Sequence, residues 1–211
     1  MNAIPPFIAN SPDDVHCVNA VFRMVFKQYL NQEFTWEEID KLTKVIPGKG
    51  IWSVPGDILL AKRGITVRNI EPIDYDRLYS EGPQYLNEVV GEKAATYYFE
   101  RSNIAEIIPL IPEFQKYVQH ETRRATIEEV LGYLKEGKLV AAEVDSGTLN
   151  DTTNFALHLV LLYDFDGTHI HLHDPGLPPM PSRTITLEKF NSCWAYPGSN
   201  GGIEVFAKNN K

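Results

Sequence analysis

Two cysteines in 211 residues, Cys17 and Cys193, are too few for a disulfide framework. Long apolar runs are missing too. The longest, "ALHLVLLY" at 156–163, falls far short of the roughly 20 residues a helix needs to cross a bilayer. Positive charge is scarce: 20 Lys and Arg stand against 28 Asp and Glu, for a net charge of −8. With no Lys/Arg cluster to offset that balance, nucleic acid is excluded as an expected partner. The opening "MNAIPPFIANSPDD" has neither a basic nor an apolar segment of the kind a signal peptide requires. There is no repeat and no low-complexity tract. These absences predict a soluble, cytoplasmic protein with no nucleic-acid and no membrane partner.

What is present is ordinary globular material, 43% hydrophobic and 23% charged, enough for a single domain over 1–211 with a proper core. Residues 1–70 read as a helical half. Val18, Phe22, Val25, Phe26 and Tyr29 recur at helical spacing within a helix over 12–30, whose start lies at Ser11 or Asp14. Thr35 and Glu38 have capping-box spacing for a helix over 35–43. A third helix, 53–64, stops at Gly64, and "ITVRNI" follows as a short strand. Residues 71–125 read as a helical insertion broken by Pro83, Gly91, Pro109 and Pro112. Residues 126–211 read as an antiparallel sheet half. It comprises a helix capped by Thr126 and Glu129, strands at 139–144, 156–163, 168–174, 183–187 and 202–208, and a Pro-rich loop at 176–182. Helices first and closely spaced strands afterwards mean an α+β fold.

The chemistry concentrates in three residues. Cys17 falls in the first turn of its helix if Asp14 caps it, and a helix start favours a thiolate. In the 157–174 hairpin, a loop of Phe165–Gly167 with a left-handed Gly167 pairs Asp164 with Thr168 and sets His158 directly opposite Asp174. Directly opposed side chains have Cβ atoms about 4.5–5.5 Å apart. Asp174 can then accept from one imidazole nitrogen and leave the other for a thiol.

The frame C-x-x-A-x-x-x-M-V-x-x-x-Y, carried by Cys17, Ala20, Met24, Val25 and Tyr29, resembles the opening helix of the bacteriocin-processing, double-glycine-leader cysteine peptidases of the papain-like superfamily. "GIWSVPGDILLAKRGITV", "TIEEVLGYLKEGKLVAAEV", "LHLVLLYDFDGTHIHLHDPG" and "ITLEKFNSCW" resemble later parts of that family, in the same order, with 71–125 outside the likeness. The resemblance implies a papain-like fold and a bacterial cysteine hydrolase acting on a peptide or protein, without cofactor or metal. It makes Cys17 the nucleophile, His158 the base and Asp174 the orienting acid. The sequence departs from the pattern twice. Val18 stands where the family commonly has Gly, and no Gln precedes Cys17. Asn10 and Ser11, with the Cys17 backbone N–H, are the candidates for the oxyanion donor that Gln would supply.

Other readings stand beside this one. The same thioester chemistry serves a deamidase, transglutaminase or acyltransferase, and the same fold serves a non-catalytic peptide-binding module. His169, His171 and His173 alternate along one strand, a possible zinc face, though a solvated face is the expectation. His16 is expected to point to solvent, Cys193 to pack between Phe190 and Trp194, and Trp36, Trp52 and Trp194 to line the core or a cleft. The polar loop 145–155 is either a plain connection or a gate.

Overall fold

The computed structural model describes residues 3–196, 199 and 201–208, with residues 93 and 94 by backbone alone. The chain runs α1 (Cys17–Leu30), α2 (Trp36–Leu42), α3 (Val54–Lys62), β1 (Ile65–Glu71), α4 (Tyr75–Glu81), α5 (Pro83–Val90), α6 (Glu92–Arg101), α7 (Ile104–Ile107), α8 (Ile111–Tyr117), β2 (Gln119–Thr122), α9 (Ile127–Lys135), β3 (Leu139–Asp145), α10 (Ser146–Leu149), β4 (Leu157–Phe165), β5 (His169–Asp174), β6 (Met180–Thr186), α11 (Leu187–Trp194) and β7 (Ile203–Lys208). Among the described residues no helix is long and apolar enough to cross a membrane.

The α+β class stands on a single seven-stranded sheet of order β2-β1-β7-β3-β4-β5-β6. Alternation along its strands gives the sheet two apolar faces. Leu139, Ala141, Leu161 and Phe206 pack against α1, α3 and the helices that follow. Val140, Ala142, Val160 and Leu162 pack against α9 and α11 on the other side. Gly56 lets α3 approach α1, because a Cβ there would come within 2.2 Å of the Phe22 ring.

Both capping boxes form, at Thr35–Glu38 and Thr126–Glu129. Pro83 starts α5 rather than breaking a helix, as a first-turn proline does. Three expectations need correction. "ITVRNI" does not belong to a separate helical half: as β1 it pairs antiparallel with β7 and so joins the main sheet. The insertion is not all helical, because β2 adds a parallel edge strand, held by His120 to Asn69 Oδ1 (2.6 Å) and the Ile73 carbonyl (2.9 Å). The strand β6 begins at Met180, inside the stretch read as a Pro-rich loop.

Candidate functional site

The N-terminus of α1 is set by the loop before it. The helix begins at Cys17, not near residue 12, and neither Ser11 nor Asp14 caps it; Asp14 lies in the loop with φ 59°. Asn10 organises this loop. Its Oδ1 accepts from the N–H groups of Ser11 and His16, both at 2.9 Å, and its Nδ2 donates to Asp14 Oδ1 at 2.9 Å. The Ser11 hydroxyl is engaged with Asp13 and with His16 Nδ1. The side chains of Asn10 and Ser11 are therefore committed within their own loop. His16, at the N-cap, gives the first turn no side-chain hydrogen bond, so its N–H groups stay available.

His16 does not point to solvent. It is buried, between Asp13 (2.9 Å) and Asp40 (3.1 Å), with its ring edge-on to Trp36. The sequence offered no sign of this, because Asp40 comes from another helix.

The hairpin partly departs from expectation. Gly167 takes the positive φ foreseen (102°), but the chain turns through Asp166–Thr168, with Asp166 Oδ1 accepting from the N–H groups of Thr168 and His169. Asp164 pairs with His171 rather than Thr168. Beyond a bulge between Leu162 and Asp164, Leu161 rather than Leu159 faces His173. His158 is therefore not directly opposite Asp174 but diagonal to it. A slip of two residues leaves both side chains on the same face, and His158 Nε2 donates to Asp174 Oδ1 at 2.8 Å.

The thiol of Cys17 lies close enough to His158 for each to shift the other's protonation, and because Asp174 holds Nε2, Nδ1 is the ring nitrogen left for the sulfur. Burial alone would raise the half-buried thiol. The hydrogen bond and charge of His158, with the N–H groups of Leu159 and Val18, outweigh it and lower the thiol below its usual range. Burial would likewise lower His158, yet Asp174 and Cys17 together push it up to about 10. Asp174 is 2% exposed; burial opposes its charge, but His158, the Gly176 N–H and Arg183 hold it below the ordinary carboxylate range. The arrangement favours a thiolate–imidazolium pair.

Two supports were not foreseen. Arg183 Nη1 donates to Asp174 Oδ2 (2.8 Å) and Asn150 Oδ1 (2.6 Å), while Nη2 donates to the Leu149 carbonyl (2.5 Å). Thiolate, imidazolium, carboxylate and guanidinium thus alternate in sign. Gly176 N–H donates to Asp174 Oδ1 at 3.0 Å, and a Cβ at Gly176 would stand 3.2 Å from His158 Nε2. The turn signal Pro175-Gly176 marked this glycine, but only the pairing of Arg183 with Leu172 across β5 and β6 brings the arginine to Asp174.

The remaining candidates lie elsewhere. Cys193 is fully buried beside the stacked Phe190 and Trp194, and burial pushes its thiol up to about 12. The His169–His173 face is not uniformly solvated: His173 is buried, donating from Nε2 to the Pro5 carbonyl and accepting at Nδ1 from the Ser182 N–H. No group of three or more His, Cys, Asp or Glu among the described residues is arranged to hold a metal ion. The loop 145–155 contains α10, whose first turn is capped by Asp145.

No protein-family model matches the chain, and no curated protein does. Among solved structures, it is similar to a double-glycine-motif protease from an AMS/PCAT transporter, solved in complex with the leader peptide. The identity is 13%, over 97% of this chain and 92% of that one, with a TM-score of 0.49. It is similar to the peptidase domain of Streptococcus ComA, a bifunctional ABC transporter of a quorum-sensing pathway, at 14% identity over 99% and 98%, TM-score 0.48. A C39-like peptidase from Bacillus anthracis aligns at 21% identity over 49% of this chain and 60% of that protein, TM-score 0.35.

Proposed function

We propose that the chain is a cysteine hydrolase that cleaves peptide bonds through Cys17, His158 and Asp174. The observation that carries the reading is that the Cys17 thiol lies beside the His158 ring, whose Nε2 donates to the Asp174 carboxylate at 2.8 Å. The motif resemblance picks out the same three residues. In this reading the thiolate adds to the carbonyl carbon, and the developing oxyanion takes a hydrogen bond from the Cys17 backbone N–H, since Asn10 and Ser11 are engaged elsewhere. Collapse expels the amine, which takes its proton from His158 Nδ1, leaving a thioester. His158 then removes a proton from water as it adds to the thioester. The carboxylic acid departs, and the thiolate–imidazolium pair returns. Asp174 fixes the ring, and Arg183 fixes Asp174.

The test is alkylation of Cys17 by iodoacetamide against pH. The expected midpoint lies below the roughly 8.5 of a free thiol, with a second change near 10 as His158 loses its proton. In His158→Ala the midpoint moves up, because only the N–H groups of Leu159 and Val18 then oppose burial. A free-thiol midpoint unmoved by His158→Ala would leave a peptide-binding module as the better reading. Mass spectrometry of peptide libraries, with and without added amines, separates hydrolysis from acyl transfer.

A further inference from the structure

The sheet face on the α1 side carries acidic side chains that the chemistry above does not use. Glu143 on β3 lies opposite Leu159, the residue after His158. Glu204 on β7 lies between Ala141 and Asn69, and Glu71 ends β1. By strand alternation all three point toward the α1–α3 side, the side of Ala141 and Phe206. Asp57 on α3 meets them from above.

These carboxylates are not consumed by the fold. Asp57 is fully buried, and neither of its oxygens has a hydrogen-bond partner among the described residues. Glu204 is 7% exposed; one oxygen takes the Ser53 hydroxyl, and Oε2 has no partner among the described residues. Among the described residues Glu143 accepts from the Tyr196 hydroxyl (3.1 Å), and Glu71 from Asn69 Nδ2 and the Tyr75 hydroxyl. None of the four joins an ion pair among the described residues. Unpaired buried carboxylates are costly and call for a counter-charge. The group does not have the grouping that holds a metal ion. Its walls are aromatic: Tyr98 lies close enough to Glu143 and Glu71 to feel their charge, and Trp52 packs edge-on against it. Phe155 packs against Tyr196 and is 61% exposed. Carboxylates with aromatic rings beside them suit an organic cation.

We propose that Glu143, Glu204 and Glu71, walled by Tyr98 and Tyr196, receive a lysine or arginine side chain of the peptide substrate close to the scissile bond. The proposal rests on the hydrolase reading for its geometry, since Glu143 is one strand from the residue that follows His158. It also gives the 71–125 segment a role, because Tyr98 comes from α6. Burial and repulsion by Glu71 and Glu143 raise Glu204 to about 8, and burial raises Asp57 as well. A bound cation relieves that repulsion.

Two measurements test it. In a cleavage screen of a mixed peptide library, wild-type protein is expected to enrich Lys or Arg at one position beside the cut by about tenfold or more, the scale of one buried charge-assisted contact. The Glu143→Gln/Glu204→Gln protein is expected to lose that enrichment, and Glu143→Lys to shift it toward Asp or Glu. In the second measurement, Cys17→Ala protein binds a fluorescent arginine-containing peptide and its alanine counterpart, read by anisotropy; the arginine peptide is expected to bind about tenfold tighter. Cleavage with no basic preference overturns the site and leaves the hydrolase standing. Arginine-selective binding without cleavage by the wild type does the reverse. Equal binding of the two peptides overturns the site, the carboxyl groups then serving one another by sharing protons.

Discussion

Arg183 is the residue on which Asp174 most depends after His158. Its side chain is largely buried, and it contacts Asp174, Asn150 and the Leu149 carbonyl at once. Removing one member of a buried charge pair leaves the other uncompensated, at a cost of about 3 kcal/mol. Arg183→Leu is therefore expected to lower stability by about that amount in urea unfolding at pH 7. The loss should shrink as pH falls through and below the carboxylate range, where charge on Asp174 is lost. Gly176→Ala acts differently, because its new Cβ lies 3.0 Å from Asp174 Oδ1 and 3.2 Å from His158 Nε2. Forcing those two apart is expected to move the Cys17 alkylation midpoint up toward that of a free thiol. Misplacement of catalytic groups on this scale costs roughly 10²-fold in rate, so peptide cleavage should fall by that order. At this scale the sequence marked three residues that lie together in the structure and concealed two of those that brace them. Cys17, His158 and Asp174 announce themselves by residue type and by a spacing that tolerates a slip of two. Arg183 is defined by partners on other elements, and His16 owes its burial to Asp40 and Trp36 as well as to its neighbours Ser11 and Asp13; nothing near either residue names the distant partners.

The element that decides how the sulfur is presented is the loop before α1. Asn10 receives two backbone N–H groups and gives one amide hydrogen bond, and its own N–H donates to the Pro175 carbonyl at 2.8 Å. The loop thereby ties the helix of Cys17 to the turn after Asp174, binding the two ends of the site together. Asn10→Ala strands two buried backbone donors, each costing about 1–3 kcal/mol. The expected result is destabilisation of about 2 kcal/mol in denaturant titration, with a Cys17 alkylation profile less steeply displaced from a free thiol. An oxyanion role would instead lower turnover at unchanged stability. Elements with local signatures were legible: the two Thr–Glu capping boxes, the alternating β4 and the left-handed Gly167 all depend on residues within a few positions of each other. Elements defined by distant partners were not. The strand β2 reads "QHET", with no apolar alternation, and exists because β1 offers it an edge. The extended stretch of β6 from Met180 is likewise a product of pairing with β5, against what its prolines suggest.

At the scale of the whole molecule, the sheet separates two apolar cores, and Glu71, Glu143 and Glu204 lie on the face that Asp57 and α1 cover. That placement makes stability depend on pH in a definite direction. Burial, and repulsion by Glu71 and Glu143, push Glu204 up to about 8 against an ordinary value of 4.5, so between those limits the folded chain holds a proton that the unfolded chain releases. Stability therefore falls as pH rises through this window. Asp57 is raised by burial and by Glu204, and adds to the same trend. Cys17 runs the other way: its thiol is lowered on folding, so its contribution is fully present only above the unfolded thiol range and disappears as pH falls through the folded value. Glu204→Gln keeps shape and hydrogen-bonding capacity and removes one titration. Thermal unfolding of this variant is expected to match wild type well below pH 4.5, where Glu204 is protonated in both states, and to exceed it by a margin that widens up to about pH 8 and then levels off. A variant no more stable than wild type at pH 9 would mean that Glu204 keeps its charge in the folded chain at ordinary cost, with a counter-charge already in place.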